Sequence, residues 1–321
     1  MPPMPRTSRT VGEVGEFDLI DQLVGRLPAG AGVLLGSGDD AAVVAAPDAR
    51  VVASTDLLVE GRHFRRDWSE PYDVGRKAAA QNLADLAAMG AVPTALLVGL
   101  AVPGSLPVDW VLSLADGLRE ECEIVGASVV GGDVARSETL TLAVTALGTL
   151  EGREPVTRSG ARPGDVVAVA GRLGWAAAGL AVLSRGFRSP RVLVEAHRRP
   201  SPPYAQGPEA AKLGATAMID VSDGLVQDLG HIASRSGVAI DIASGVFEVP
   251  EVFQDTARAL AADPLTWLLA GGEDHALAAC FPSGVDLPEG WLVVGRVAEG
   301  AGEVLVDGAP YDGPPGWQAF S

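Results

Sequence analysis

Lysine is nearly missing from this chain: Lys77 and Lys212 are the only two among 321 residues. A Walker-type phosphate loop needs a lysine inside GxxxxGK[ST], and neither residue lies in one. No GxGxxG follows a strand-like run either, so a nucleotide would have to be held by another design. Histidine is also sparse (His63, His197, His231 and His275), which leaves few carriers for general-base chemistry. The two cysteines, Cys122 and Cys280, stand far apart in no metal spacing and are read as small buried hydrophobes in a reducing compartment. Aromatics make up only 5% of the chain against a hydrophobic fraction of 47%, so its cores must be built from Ala, Val and Leu.

Membrane signals are lacking too. The most apolar stretch, residues 89–103, is interrupted by Pro93 and Gly99 and is too short to span a bilayer. Residues 1–14 hold Pro, Arg and Gly without the apolar run of a secretory signal. A soluble, cytoplasmic protein is expected. The formal charge of −17 argues against nucleic acid or an anionic membrane as partner, because neither would release counterions against such a surface. Anionic metabolites remain possible ligands provided metal ions stand between the two.

What the chain does have is carboxylates in unusual company. Asp85 sits in Gln81-Asn82-Leu83-Ala84-Asp85-Leu86-Ala87-Ala88-Met89, inside a segment from Pro71 to Met89 that reads as an Ala-rich helix. An ionised Asp on so apolar a helix is costly unless it meets a cation or donors, and Lys77, eight positions upstream, points elsewhere around the helix. Other acids recur beside Gly, Ser or Thr at the ends of apolar runs. These are Gly38-Asp39-Asp40-Ala41, Ser54-Thr55-Asp56, Gly131-Gly132-Asp133, Asp220-Val221-Ser222-Asp223-Gly224 and Gly271-Gly272-Glu273-Asp274. Taken singly, each is ordinary turn or cap chemistry. Taken together, they favour hard cations carrying phosphates, for which Mg²⁺ is the fitting ion.

The organisation is that of two domains of similar size. Phe17, Ile20, Leu23, Val24 and Leu27 recur at helical spacing. Strands are expected at 51–54, 95–102 and 140–150, with a helix over 110–123 between the last two. The Gly-, Pro- and Arg-rich segment 151–162 is the boundary candidate. A second series follows: strand 166–170, helix from Trp175, loop 200–208, strand 217–221, helix 225–236, and strands near 276–280 and 291–297. The expected division is a flexible N-terminus over 1–14, one domain over 15–152 and another over 153–321. The alternation favours an α+β or α/β class.

In this order, Gly36-Ser37-Gly38-Asp39-Asp40-Ala41-Ala42-Val43, Ser54-Thr55-Asp56-Leu57-Leu58-Val59-Glu60-Gly61-Arg62-His63-Phe64 and Asn82 to Ala91 resemble the thiamine-monophosphate kinase family. So do Gly131-Gly132-Asp133, Thr157 to Asp165, Ser222-Asp223-Gly224-Leu225, Gly271-Gly272-Glu273-Asp274 and the terminal Gly316-Trp317, covering nearly the whole chain. The resemblance implies an α+β, two-domain PurM-like fold of the AIR-synthetase superfamily, with an N-terminal sheet domain that dimerises and a C-terminal α/β domain. It implies Mg²⁺-dependent transfer of the ATP γ-phosphoryl group to thiamine monophosphate, directly and in line. By motif match Asp40, Ser54, Thr55, Asp56, Asp85, Asp133, Asp220 and Asp223 would bind several Mg²⁺ ions. Gly132, Asp133, Arg158 and Ser222 would contact ATP, with Arg158 and Asp133 catalytic. His63, Glu273 and Trp317 would contact the thiamine substrate. The chain departs from the pattern at His275, where Tyr is frequent, and at Val134-Ala135-Arg136 after Gly-Gly-Asp. AIR synthetase and selenophosphate synthetase are the nearest alternatives; the latter would place a reactive Cys in the N-terminal segment, and residues 1–38 contain none. A non-catalytic binder on the same fold is the alternative of another class.

Overall fold

Strict alternation over Thr141–Thr149 buries Leu142, Val144 and Ala146 completely while Thr141, Ala143 and Thr145 stay partly open, the mark of a strand covered on one face. The chain, seen in a computed structural model that describes residues 9–37, 41–314 and 316–317, divides into two units. One comprises Met1–Asn82 with Pro93–Thr149, the other Leu83–Val92 with Leu150–Ser321.

The first part of the chain runs α1 (Val11–Val14), α2 (Glu16–Val24), β1 (Val33–Leu35), β2 (Val43–Val44), β3 (Val52–Val59), α3 (Pro71–Ala88, counted with the second unit from Leu83 on), β4 (Val92–Val102), α4 (Val108–Val125), β5 (Ser128–Arg136) and β6 (Thr141–Thr149). Its main sheet has the order β3-β6-β4-β5, with β3 antiparallel to β6 and β4 parallel to β5. The expected helix over 71–89 is therefore present almost to the residue, while β3 runs five residues beyond the expected 51–54. Within this unit α3 and α4 are joined by a buried Arg76–Glu121 ion pair and by the Tyr72 hydroxyl, which donates to Glu120 at 2.6 Å. The expectation of a loose segment over 1–14 fails at 11–14. Thr10 and Glu13 form a capping box there, and the Val11 and Gly12 N–H groups donate to Leu106 and Gly104.

The second unit carries β7 (Val166–Ala170), α5 (Trp175–Ser184), α6 (Arg191–Arg198), α7 (Gln206–Lys212), β8 (Ala217–Val221), α8 (Leu225–Ser236), β9 (Val238–Ile242), α9 (Glu251–Leu260), α10 (Pro264–Ala270), β10 (Ala276–Phe281), β11 (Trp291–Glu299), β12 (Val304–Val306) and β13 (Ala309–Pro310). Strand order is β13-β12-β9-β11-β7-β10-β8, and only the β9–β12 pairing is parallel. The sheet is thus far more antiparallel than an α/β domain would have: β12–β13 is a hairpin, and the other antiparallel neighbours are not consecutive in the chain. Strands β8 and β10 are buried at every residue, as expected of strands covered on both faces. Edge-to-face contacts of Phe253 with Trp175 (5.1 Å) and Trp267 (5.6 Å) tie α5, α9 and α10 together. Helix α7 begins inside the expected 200–208 loop; Pro208 sits in its first turn, where a missing N–H costs nothing. Both cysteines are buried, and burial pushes each thiol up to about 12, leaving them chemically quiet.

Candidate active site

In the first unit the candidate residues are carried by the two edge strands. Period-two geometry puts Ser54 and Asp56 on one face of β3 and Thr55 on the other. Asp56 is fixed from behind by α3: its N–H donates to Asn82 Oδ1 at 3.1 Å, and Gln81 Nε2 donates to its Oδ2 at 3.2 Å. Asn82 is wholly buried and donates to Ala78 O, so the acceptor is itself locked in place. Thr55 is not brought to that face. Its hydroxyl donates to Val144 O at 3.0 Å and accepts from Thr145 on the outer side of the sheet, which separates it from Ser54 and Asp56. Beyond β3, His63 Nδ1 accepts from the Val59 N–H at 3.0 Å, so the neutral ring carries its proton on Nε2. The buried Lys77 ammonium donates to the His63 carbonyl and steadies that turn.

Gly132 and Asp133 lie on β5, the opposite edge. A Cβ on Gly132 would stand 1.9 Å from Val98 O, so glycine is what lets the strand approach β4 here. Asp133 is exposed and sits three strand spacings from Asp56, about 14 Å along the sheet. Asp40 lies outside the described residues.

In the second unit two loops more than forty residues apart are laced together at one end of the sheet. Glu273 N–H donates to Ser222 O (2.8 Å) and His275 N–H to Val221 O (3.1 Å). Gly272 approaches Ser222 O so closely that a Cβ would lie 2.3 Å away. Glu273 and His275 both take positive φ, +68° and +52°, a conformation non-glycine residues adopt at a cost and chiefly where function holds them. Asp274 is buried, and its Oδ1 accepts from the Ala176 N–H at the start of α5. Burial pushes its carboxyl up to about 7.

This lacing gathers acids. Asp220, buried at the end of β8, meets His275 Nδ1 at 3.1 Å. Burial depresses the His275 imidazole, but the hydrogen bond and charge of Asp220, with Asp85 and Glu273 adding to it, outweigh that and hold its pKa above the ordinary value. Asp223 accepts from Gln227 Nε2, and burial and the Asp220 charge raise its carboxyl. Asp228 accepts from the Asp223 and Gly224 N–H groups at 3.0 Å each and is pushed up to about 7, first by burial and then by Asp220. The backbone of Trp317 docks on the same loop: its N–H donates to Asp223 O and its carbonyl accepts from Gln227. Its ring is 49% exposed and available for stacking. Arg158 is exposed; Ser236 Oγ donates to its carbonyl and accepts from Gly160 and Ala161, which pins the loop that carries it.

Gln81, Gln227 and Asp228 are not among the candidates that the sequence offers; Asn82 reads there as a structural residue and His197 only as one of four histidines. Only Asp228 left a local signal, as an acid in the first turn of α8 behind the Ser-Asp-Gly run.

Among the described residues no three Asp, Glu, His or Cys side chains converge to hold a cation alone. Mg²⁺ is seldom caged that way, taking one or two carboxylates and completing its shell with substrate phosphate and water. The donors at the second unit's loops are hard oxygens; the carboxyls of Asp223 and Asp228 are raised first by burial and then by the Asp220 charge, and a cation would relieve the second of these. The donor set fits a divalent ion arriving with phosphate.

Residues 38–150 match the family model for AIR synthase related protein, N-terminal domain. Over 314 residues the chain is 50% identical to the thiamine-monophosphate kinase of Mycobacterium tuberculosis, covering 98% of this chain and 94% of that one. It is 41% identical over 326 residues to the Corynebacterium glutamicum thiamine-monophosphate kinase, covering 98% and 96%. The fold matches the solved structure of AaThiL complexed with AMPPCP and TMP with a TM-score of 0.78 and 32% identity, covering 98% of this chain and 100% of that one.

Proposed function

The chain belongs to the thiamine-monophosphate kinase family, and we propose on that footing that it transfers the γ-phosphoryl group of ATP to thiamine monophosphate, giving thiamine diphosphate and ADP. One observation of the structure carries this reading furthest. The lacing of the 221–224 and 271–275 loops sets Asp220, Asp223, Glu273 and the docked Trp317 at one end of a sheet.

The acceptor is a phosphate monoester with a second pKa of about 6, so it is already ionised at neutral pH and needs no general base. The barrier to overcome is repulsion between two anions. Mg²⁺, when bound, would neutralise phosphate charge. In the first unit Ser54, Asp56 and Asp133, with Asp40, are the proposed ligands; in the second, Asp85, Asp220 and Asp223 are. Asn82 and Gln81 hold Asp56 in one orientation, and His275 does the same for Asp220. Gly132, Asp133, Arg158 and Ser222 contact the nucleotide, and Arg158 balances charge on the phosphoryl group in flight. His63, Glu273 and Trp317 receive the acceptor, the Trp317 ring stacking on the cationic thiazolium for roughly 0.5–2 kcal/mol. Transfer is direct, since no nucleophilic side chain is needed between two phosphates held in line.

The enzyme is proposed to act as a cytoplasmic homodimer. The outer face of the first unit's sheet leaves Leu57 56% and Leu97 36% exposed, with Ala53 and Thr55 beside them. Such a face is costly in water and suits a second copy.

The test is a panel of acceptors offered with Mg-ATP: thiamine monophosphate, free thiamine, phosphorylated ribosyl amidines and selenide. ADP release with thiamine monophosphate alone is expected; release with either of the last two instead would favour the neighbouring synthetases.

A further inference from the structure

Helix α6 contributes nothing to the proposed ligand or substrate set, yet one of its residues reaches that set. His197 is buried on the face of α6 packed against α5, and its Nδ1 lies 3.5 Å from Glu273 Oε2, a close polar approach just short of a hydrogen bond. Glu273 belongs to a turn whose other members are tied down: Gly272 by its approach to Ser222 O, Asp274 by the N-terminus of α5, His275 by Asp220. Its backbone is held by Ser222 at a positive φ, which aims the side chain without limiting its rotamers. The Glu273 side chain is about one-third exposed, so its carboxylate faces both solvent and the buried imidazole.

We infer that His197 is a positioning residue for acceptor recognition: its imidazole stands against one oxygen of Glu273 and limits how the carboxylate can turn towards the positively charged or amine-bearing part of the acceptor. The proposal rests on the assignment of Glu273 to the acceptor made above. The buried imidazole is rigid and already oriented, so the ordering cost of Glu273 is met in the free enzyme rather than on binding. His197 itself touches no substrate. Its influence falls on affinity for thiamine monophosphate and not on the nucleotide or on the rate of phosphoryl transfer.

Steady-state kinetics on four variants test it. His197→Phe keeps the ring volume and removes the nitrogen, and should raise the KM for thiamine monophosphate about tenfold, roughly 1.4 kcal/mol. Its kcat and KM for ATP should stay within twofold of the parent. His197→Asn, whose amide nitrogen falls near the lost Nδ1, should restore most of the affinity. Glu273→Gln should raise the same KM, and His197→Phe with Glu273→Gln together should be no worse than Glu273→Gln alone, since one residue acts through the other. Should His197→Phe fail to fold, His197→Leu replaces it: this smaller apolar side chain also lacks the nitrogen and should raise the same KM while sparing the KM for ATP. Equal losses for both substrates, or strictly additive effects in the double variant, overturn the inference. An unchanged KM in Glu273→Gln overturns instead the placement of Glu273 at the acceptor, whereas a raised KM there with a normal one in His197→Phe sinks only the role of His197.

Discussion

Asn82→Ala removes the clamp that fixes Asp56, and its cost can be worked from the structure. The Asp56 N–H loses its acceptor at 3.1 Å, and Ala78 O loses its donor at 2.9 Å. An orphaned, partly buried backbone donor costs about 1–3 kcal/mol, and the void left by a side chain of zero exposure adds about 1. The sum, about 2–4 kcal/mol, should lower the melting midpoint by roughly 5–15 °C in a domain of this size. Activity should need several times more Mg²⁺ for half-saturation, because Asp56 no longer sits in one orientation. Gln81→Met gives the contrast: it spares the backbone bond and removes only the donor to Asp56 Oδ2, so its melt should hold while its Mg²⁺ requirement rises. Thermal melts in EDTA and Mg²⁺ titrations of turnover measure both. A parent-like melt and parent-like Mg²⁺ dependence in Asn82→Ala would refute the clamp.

Three further outcomes are expected. Trp317→Ala should weaken thiamine monophosphate binding by about 1–3 kcal/mol while leaving ATP affinity nearly intact, read by titrating each ligand; an equal loss for ATP would make Trp317 a tail anchor only. Asp228→Asn keeps an acceptor for the Asp223 and Gly224 N–H groups and removes a buried charge. The folded pKa of about 7 stands above the ordinary 3.8, so the parent loses stability as pH rises from there through neutrality; in EDTA the variant should melt higher than the parent at pH 8, with the gap closing near pH 4. Mg²⁺ with a non-hydrolysable ATP analogue should stabilise the protein by roughly 2.7 kcal/mol at a hundredfold excess over Kd, with little from either alone; equal binding of the analogue in EDTA would contradict metal bridging.

The elements that could be read from sequence are those whose period is uninterrupted. Val166–Ala170, Ala217–Val221 and Leu225–Ser236 occur as expected because an all-apolar run, a run apolar but for Asp220 and one amphipathic repeat have no competing pattern. Helices α6, α9 and α10 were missed, being short and following Pro190, Pro250 or Asp263-Pro264, which look like loop signals until the proline is seen to start the helix. Candidate acids were visible as a recurring pattern, but their supports were not. Asn82 and Gln81 look like ordinary helix polars, and nothing local ties His275 to Asp220, 55 positions away. Thr55 was grouped with its neighbours by motif, and strand alternation separates it from them.

The account stands or falls on where the γ-phosphoryl group goes and whether a divalent cation takes it there. Phosphorus NMR of the protein with ATP and thiamine monophosphate follows both phosphates at once. With Mg²⁺ present, thiamine diphosphate should appear in step with ADP, one for one, and EDTA should stop both. ADP accumulating with inorganic phosphate in place of thiamine diphosphate, or thiamine diphosphate forming at an undiminished rate in EDTA, would contradict it.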